Sequence, residues 1–321
     1  MVKLENIPAF VYKLLIVVAT IIWGFSFVVM KDVVEVLPPA WLLGIRFLMA
    51  GALLLAVIWK HVRRTFTRDA LVAGIILGVL DFAAFWCQTV GLQHTTPGIN
   101  AFLTATYCVI VPFLWWIIAR KRPTVFNIGA AVLAVAGIWL VSVTSSDSSL
   151  AMGYGEAMTL LCALLFALHM VYVSKFSRKN DVLVLTVFQF ITEGSLGCLF
   201  GAATETLPSL SVITPTIVAS MIFLAVFASV IAFGIQNVAL AYIPPAQGAL
   251  LLSLESVFGV VFSVLLYGEV VTGRLLLGFA LIFAAIVISE VFPLKPKQAD
   301  ARIDGHADDD ARIDGRADDT A

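Results

Sequence analysis

Apolar residues in this chain fall into blocks of about twenty, separated by short stretches carrying charge, proline or turn-forming residues. About twenty apolar residues in an α-helix cross some 30 Å of hydrocarbon, so each block reads as a membrane-spanning helix. Ten such segments are predicted, at approximately 12–30, 39–59, 69–92, 97–119, 124–143, 153–174, 182–203, 215–241, 245–267 and 273–292. Several start at proline (Pro39, Pro97, Pro215, Pro245), which a helix tolerates in its first turn. The connections are short, so consecutive helices are expected to run antiparallel. The pattern predicts an all-α integral membrane protein with ten transmembrane helices.

Composition removes the main competing class. Of 321 residues, 61% are hydrophobic and 13% charged, with a mean hydropathy of +1.01. A soluble domain carries about 25% charged residues, so two soluble domains are excluded. Cys87, Cys108, Cys162 and Cys198 all lie inside apolar blocks without a CxxC pair, which supports neither a metal site nor a disulfide framework. The first apolar stretch is long for a signal peptide and has no small-x-small cleavage pattern.

Charge sets the expected orientation, because Lys and Arg are retained on the cytoplasmic side. One set of loops holds Lys3, Lys13, Lys60, Arg63, Arg64, Arg68, Arg120, Lys121, Arg122, Lys175, Arg178 and Lys179. The C-terminal tail adds Lys295, Lys297, Arg302, Arg312 and Arg316, while the opposite loops hold only Lys31 and Arg274. Both termini are therefore expected in the cytoplasm. In the tail, Ala301-Arg302-Ile303-Asp304-Gly305 recurs as Ala311-Arg312-Ile313-Asp314-Gly315 among many aspartates. That composition predicts a disordered, solvated segment over 294–321.

An internal repeat organises the rest. Phe85, Gln88, Val90, Leu92, Pro97, Ala101, Leu103 and Thr124 match Phe233, Gln236, Val238, Leu240, Pro245, Ala249, Leu251 and Thr272 at an offset of 148. Upstream the match weakens, with Trp23-Gly24 near Phe166-Ala167. Each unit then holds five spans, 1–146 and 147–293. An odd number makes the second unit enter the membrane inverted, the plan of secondary transporters with a central cavity between the halves.

Ionisable groups inside the bilayer cost about 2.5–3.5 kcal/mol each at mid-span, so Arg46, Asp81, His169, Glu193 and Glu255 each need a reason to be there. Helical spacing sorts most of them. Asn100, Thr104 and Tyr107 form one stripe; Gly248, Leu252, Glu255, Gly259 and Ser263 form its mate at the repeat offset. Asp81, Phe85 and Gln88 share a face, with Ser229, Phe233 and Gln236 as mates. These four faces are the predicted cavity walls, and Trp23 near mid-span is a further candidate. The alternative for Gln88, Gln236, Thr104 and Ser229 is hydrogen-bonding glue between helices. Arg46, at ~10 Å depth, snorkels outward, pairs with Asp81 or Glu255, or holds a substrate carboxylate. His169 reads either as a packing residue or as a charge partner, and Glu193 belongs to no identified stripe.

Trp23-Gly24 with Phe27, Pro39 with Arg46, Leu254-Glu255-Ser256-Val257-Phe258, and Gly268-Glu269 with Thr272 and Gly278 together resemble the drug/metabolite transporter superfamily, specifically its EamA-type ten-helix members. The resemblance spans about residues 12–292. Ser256 stands where proline is usual, and Arg120-Lys121-Arg122 replaces a Gly-Glu-Arg-like end. The resemblance implies a plasma (inner) membrane carrier, often an exporter, of amino acids, other small metabolites or amphipathic cations. No HExxH, GxSxG or Walker A sequence is present, and no cofactor, metal, nucleic acid or obligate protein partner is expected. The expectation is alternating access, with a proton on Glu255 or Asp81 as coupling ion; gradient-driven uniport and a channel-like facilitator are the alternatives.

Overall fold

The computed structural model describes residues 8–120, 122–142, 152–177, 179–209, 212–240 and 251–292. Among them the chain is helical from end to end. The helices are α1 (Ala9–Val34), α2 (Pro39–Thr65), α3 (Arg68–Gln93), α4 (Pro97–Ala105), α5 (Tyr107–Ala119), α6 (Val125–Ser142), α7 (Tyr154–Phe176), α8 (Val182–Thr204), α9 (Pro215–Phe223), α10 (Ala232–Leu240), α11 (Leu254–Phe262) and α12 (Gly273–Val291). A π-helix, Leu224–Ile231, joins α9 to α10, and a second, Ser263–Tyr267, extends α11.

Seven helical runs are long and apolar enough to cross a membrane, and Val125–Val141, Leu254–Tyr267 and Gly273–Ser289 are shorter apolar helices in the remaining predicted segments. Outward positions such as Val57, Ile117, Val125, Val132, Val135, Leu199 and Leu265 are exposed and apolar, as a lipid-facing surface requires. Local chemistry marks the boundaries. Thr67, Thr96, Thr214 and Thr272 each accept the backbone N–H three residues on, and Asp181 accepts those of Leu183 and Val184. The tail 294–321 and Gly248 lie outside the described residues.

Two central runs are interrupted. The predicted 97–119 segment breaks at Thr106, whose hydroxyl donates to the Leu103 carbonyl at 2.6 Å. The described part of the 245–267 segment breaks at Ser253, 147 residues later. Helix packing is tightest where α8 crosses α2. A Cβ on Gly44 would lie 2.6 Å from the Cys198 nitrogen, and one on Gly197 would lie 2.5 Å from the Gly44 nitrogen. Glycine on both helices lets the backbones meet, the interface chemistry of membrane helices. This crossing brings Arg46 of α2 and Glu193 of α8 into one buried layer.

Candidate functional site

Arg46 occupies the centre of that layer at 2% exposure. Its Nε donates to Ser229 Oγ at 3.0 Å and its Nη1 approaches Met30 Sδ at 3.4 Å. The guanidinium carbon lies 4.7 Å from the Phe47 ring centroid and 5.2 Å from that of Phe85, so aromatic faces supply part of the stabilisation that water would give. Ser229 is presented by the π-helix, and its hydroxyl donates back to the Leu224 carbonyl five residues earlier at 3.0 Å. Single π-turns recur at functional positions in membrane and soluble helices alike. Of the three roles open to Arg46, snorkelling is excluded by its burial, and no carboxylate of the described residues lies within 4.0 Å of it.

Asp81, fully buried, accepts a hydrogen bond from Gln189 Nε2 at 2.6 Å, and its other oxygen stands 3.8 Å from His169 Nδ1. His169 is therefore a neighbour of the carboxylate and not merely a packing residue. Glu193, one helical turn beyond Gln189, is also fully buried and lies against Asp81, with Arg46 as its nearby cation. Neither Glu193 oxygen meets a hydrogen-bond donor. Glu193 and Gln189 are the polar residues that the stripe analysis passed over. The signal was available: Thr186, Gln189, Glu193 and Gly197 recur at spacings of three, four and four, one face of α8.

A second polar layer lies among α3, α4 and α7. Gln88 Nε2 donates to Thr104 Oγ1 at 3.2 Å, and Asn100 Nδ2 donates to the Gln88 carbonyl at 3.2 Å and to Thr159 Oγ1 at 2.8 Å. Tyr107 meets Phe166 edge-on at 6.5 Å, and Phe166 meets Phe85 at 4.9 Å. Gln88 and Thr104 thus join α3 to α4. Glu255 enters from α11, buried, and faces Cys162, which Asp81 also faces. Leu252 is buried in a cluster with Tyr12 and Ile16 of α1, against which Trp23 also packs.

Trp23 closes the other flank of the Arg46 layer. Its indole N–H donates to the Ala228 carbonyl at 2.8 Å, and its ring meets Phe233 edge-on at 5.4 Å. Phe233 in turn meets Phe190 at 5.5 Å, and Phe190 meets Phe47 at 5.5 Å. Trp23, Phe233 and Gln236 keep partial exposure, whereas the carboxylates and Arg46 do not. Among the described residues these polar side chains fall into two layers, one around Arg46 and one around Asn100. Two concavities lie on outward faces, one lined by Val132, Val135, Ala136, Trp139 and Leu140 on α6 and one by Ala56 to His61 on α2.

The non-cytoplasmic end predicted from charge is stapled by polar side chains that the stripes did not single out, Lys31 and Glu269 buried and Glu205 half-buried. Lys31 Nζ donates to the carbonyls of Leu92, Gln93 and Thr95 at 2.7, 3.3 and 3.2 Å. Glu269 accepts from Thr96 Oγ1 at 2.5 Å, from the Gly98 N–H at 3.0 Å and from the Ser263 hydroxyl. Glu205 accepts the N–H groups of Ala40 and Trp41 at the start of α2. A carboxylate at a helix N-terminus satisfies orphan donors and complements the helix dipole.

Comparison with known proteins fits this architecture. The model of the EamA-like transporter family matches residues 11–143 and again 153–290, and the chain belongs to that family of membrane transporters. An uncharacterized transporter of Archaeoglobus fulgidus is 27% identical over 286 residues, covering 88% of this chain and 87% of the relative. A protein of Salmonella typhimurium named as a probable amino-acid metabolite efflux pump is 27% identical over 307 residues, covering 91% and 98%. An uncharacterized inner membrane transporter of Escherichia coli, YedA, is 25% identical over 286 residues, covering 86% and 90%. One solved crystal structure superposes with a TM-score of 0.64 at 17% identity, over 88% of this chain and 96% of the other, which shows a shared fold. The chain is a multi-pass membrane transporter and not an enzyme.

Proposed function

We propose that this chain exports small amphipathic metabolites, amino acids foremost, by alternating access between two inverted five-helix halves, with both termini in the cytoplasm. The observation that carries the reading is Arg46, a permanent cation sequestered at the α2–α8 crossing and bonded to neutral partners instead of a carboxylate. Such a group is expensive unless it has work to do, and a carboxylate-bearing cargo would complete it with a forked, charge-assisted pair. Trp23 and Phe233, partly exposed beside it, supply an apolar wall. Relatives named as amino-acid metabolite efflux pumps support the cargo class. Twofold matching of one family model, at 11–143 and 153–290, supports the two halves.

Cargo reaches a site between two halves when one half moves against the other, which alternating access supplies and a static pore does not. The test is counterflow of a radiolabelled amino-acid mixture in proteoliposomes. Exchange above that of empty vesicles is expected, with loss of at least tenfold in Arg46→Ala, the size of one lost charge-assisted contact. Counterflow unchanged in Arg46→Ala removes Arg46 from the cargo site.

A further inference from the structure

We infer that Asp81 and Glu193 form a carboxylate dyad holding one shared proton, and that this dyad is the carrier's proton-binding site, distinct from Glu255. The inference rests on the transport reading for its purpose but not for its chemistry. Glu193 is fully buried with both oxygens lacking a donor, and the Asp81 oxygen not bound by Gln189 also lacks a hydrogen-bond donor. Two facing carboxylates are both acceptors when ionised, so each leaves the other unsatisfied. One proton between them turns one group into a donor and satisfies both, as in paired catalytic carboxylates.

Charge counting leads to the same number. The groups facing Glu193 and Asp81 are Arg46 from α2, His169 and Cys162 from α7, Gln189 from α8 itself, and Ser229 as the ligand of Arg46. With His169 neutral, one guanidinium and two carboxylates carry a net −1; a single shared proton makes the layer neutral. A neutral layer avoids the cost of a net charge buried in hydrocarbon. Placing the proton on His169 instead would neutralise the sum but leave both Glu193 oxygens without a donor, and His169 Nε2 has none of its own to offer or receive bonds from.

The layer is also arranged across the repeat. Glu193 lies 147 residues after Arg46, and Ser229 lies 148 after Asp81. The first half thus supplies the cation of one contact, Arg46–Ser229, and the second half the acid of the other, Glu193 against Asp81. Loss of the dyad's proton would leave an uncompensated negative charge in the same layer as Arg46. That couples protonation to the group proposed to hold the cargo carboxylate.

Infrared spectroscopy of the purified full chain tests this without a substrate. At neutral pH the carbonyl stretch of a protonated carboxylic acid is expected, lost in Glu193→Gln and lost in Asp81→Asn, each alone, and retained in Glu255→Gln. Should either variant fail to fold, selective ¹³C labelling in the unsubstituted protein serves: labelling the residue type that carries the proton must displace the acid band, and labelling the other type must displace a carboxylate stretch that changes together with that band when the pH is raised. An acid band whose loss changes no carboxylate stretch of the other residue type, or that is lost only in Glu255→Gln, overturns the dyad. Amino-acid counterflow run on the same preparations separates the two readings: counterflow with no dyad band overturns only this inference, and a dyad band without counterflow overturns only the transport reading.

Discussion

Arg46 is held by one neutral hydroxyl, one thioether and two aromatic faces, a set that stabilises a cation without satisfying all five of its donors. Removing one member of a buried charge cluster strands the rest, at a cost of about 3–5 kcal/mol. Arg46→Met is therefore expected to lower the thermal unfolding temperature in detergent while abolishing counterflow, because it leaves the negative charge of Asp81 and Glu193 uncompensated. An unchanged unfolding temperature would show that the layer does not depend on Arg46 for its charge balance. Glu269 is a different case. Its oxygens serve Thr96, the Gly98 N–H and Ser263, so Glu269→Ala strands donors at the start of α4 and is expected to cost about 1–3 kcal/mol. Thermal unfolding read by intrinsic fluorescence checks that figure, with Glu269→Gln expected to recover part of the loss because it retains one acceptor.

Helix α8 positions the site through its glycines. On one side Gly194 and Gly197 let it meet α2, and on another its residues Phe188 and Thr192 press against Gly74 and Gly78 of α3. Removing that space should move Glu193 relative to Arg46 and Asp81. Gly197→Val is expected to destabilise by about 1–3 kcal/mol, the range for overpacking, and to weaken counterflow. Gly129→Ala in α6 is the matched control, because a Cβ there meets nothing within 4 Å, and in a helix interior alanine is expected to stabilise by about 0.5–1 kcal/mol. Denaturation of the two variants side by side decides whether close approach or glycine content as such matters. The π-helix Leu224–Ile231 belongs with this argument, since its wider turn sets Ser229 against Arg46.

The sidedness proposed for the carrier rests on charge, seventeen Lys and Arg against two, and predicts that the 60–68 connection faces the cytoplasm while the 35–38 connection faces out. Single cysteines replacing Phe66 or Glu35, in a background with Cys87, Cys108, Cys162 and Cys198 changed to serine or alanine, report this. A membrane-impermeant thiol reagent added to intact cells is expected to modify the Glu35→Cys protein and spare the Phe66→Cys protein; the reverse pattern inverts the topology. On the outward side so assigned lie the staples of Lys31, Glu205 and Glu269.

The helical spans were legible from the chain itself, because transfer into lipid is close to additive over about twenty consecutive residues. Arg46, Asp81, Ser229 and His169 were legible as candidates for the same reason, as polar residues where each carries a large penalty. Which of them meet was not. Gln88 and Thr104, read as cavity wall or glue, bond to each other; Glu255, read with Asp81 as one of two candidate coupling acids, faces Cys162; and Glu193, assigned to no stripe, faces Asp81. Local periodicity gives the face of a helix but not the partner opposite it. That partner is set by how close two backbones approach and at what rotation, and here the Gly44–Gly197 contact between residues 153 positions apart decides it.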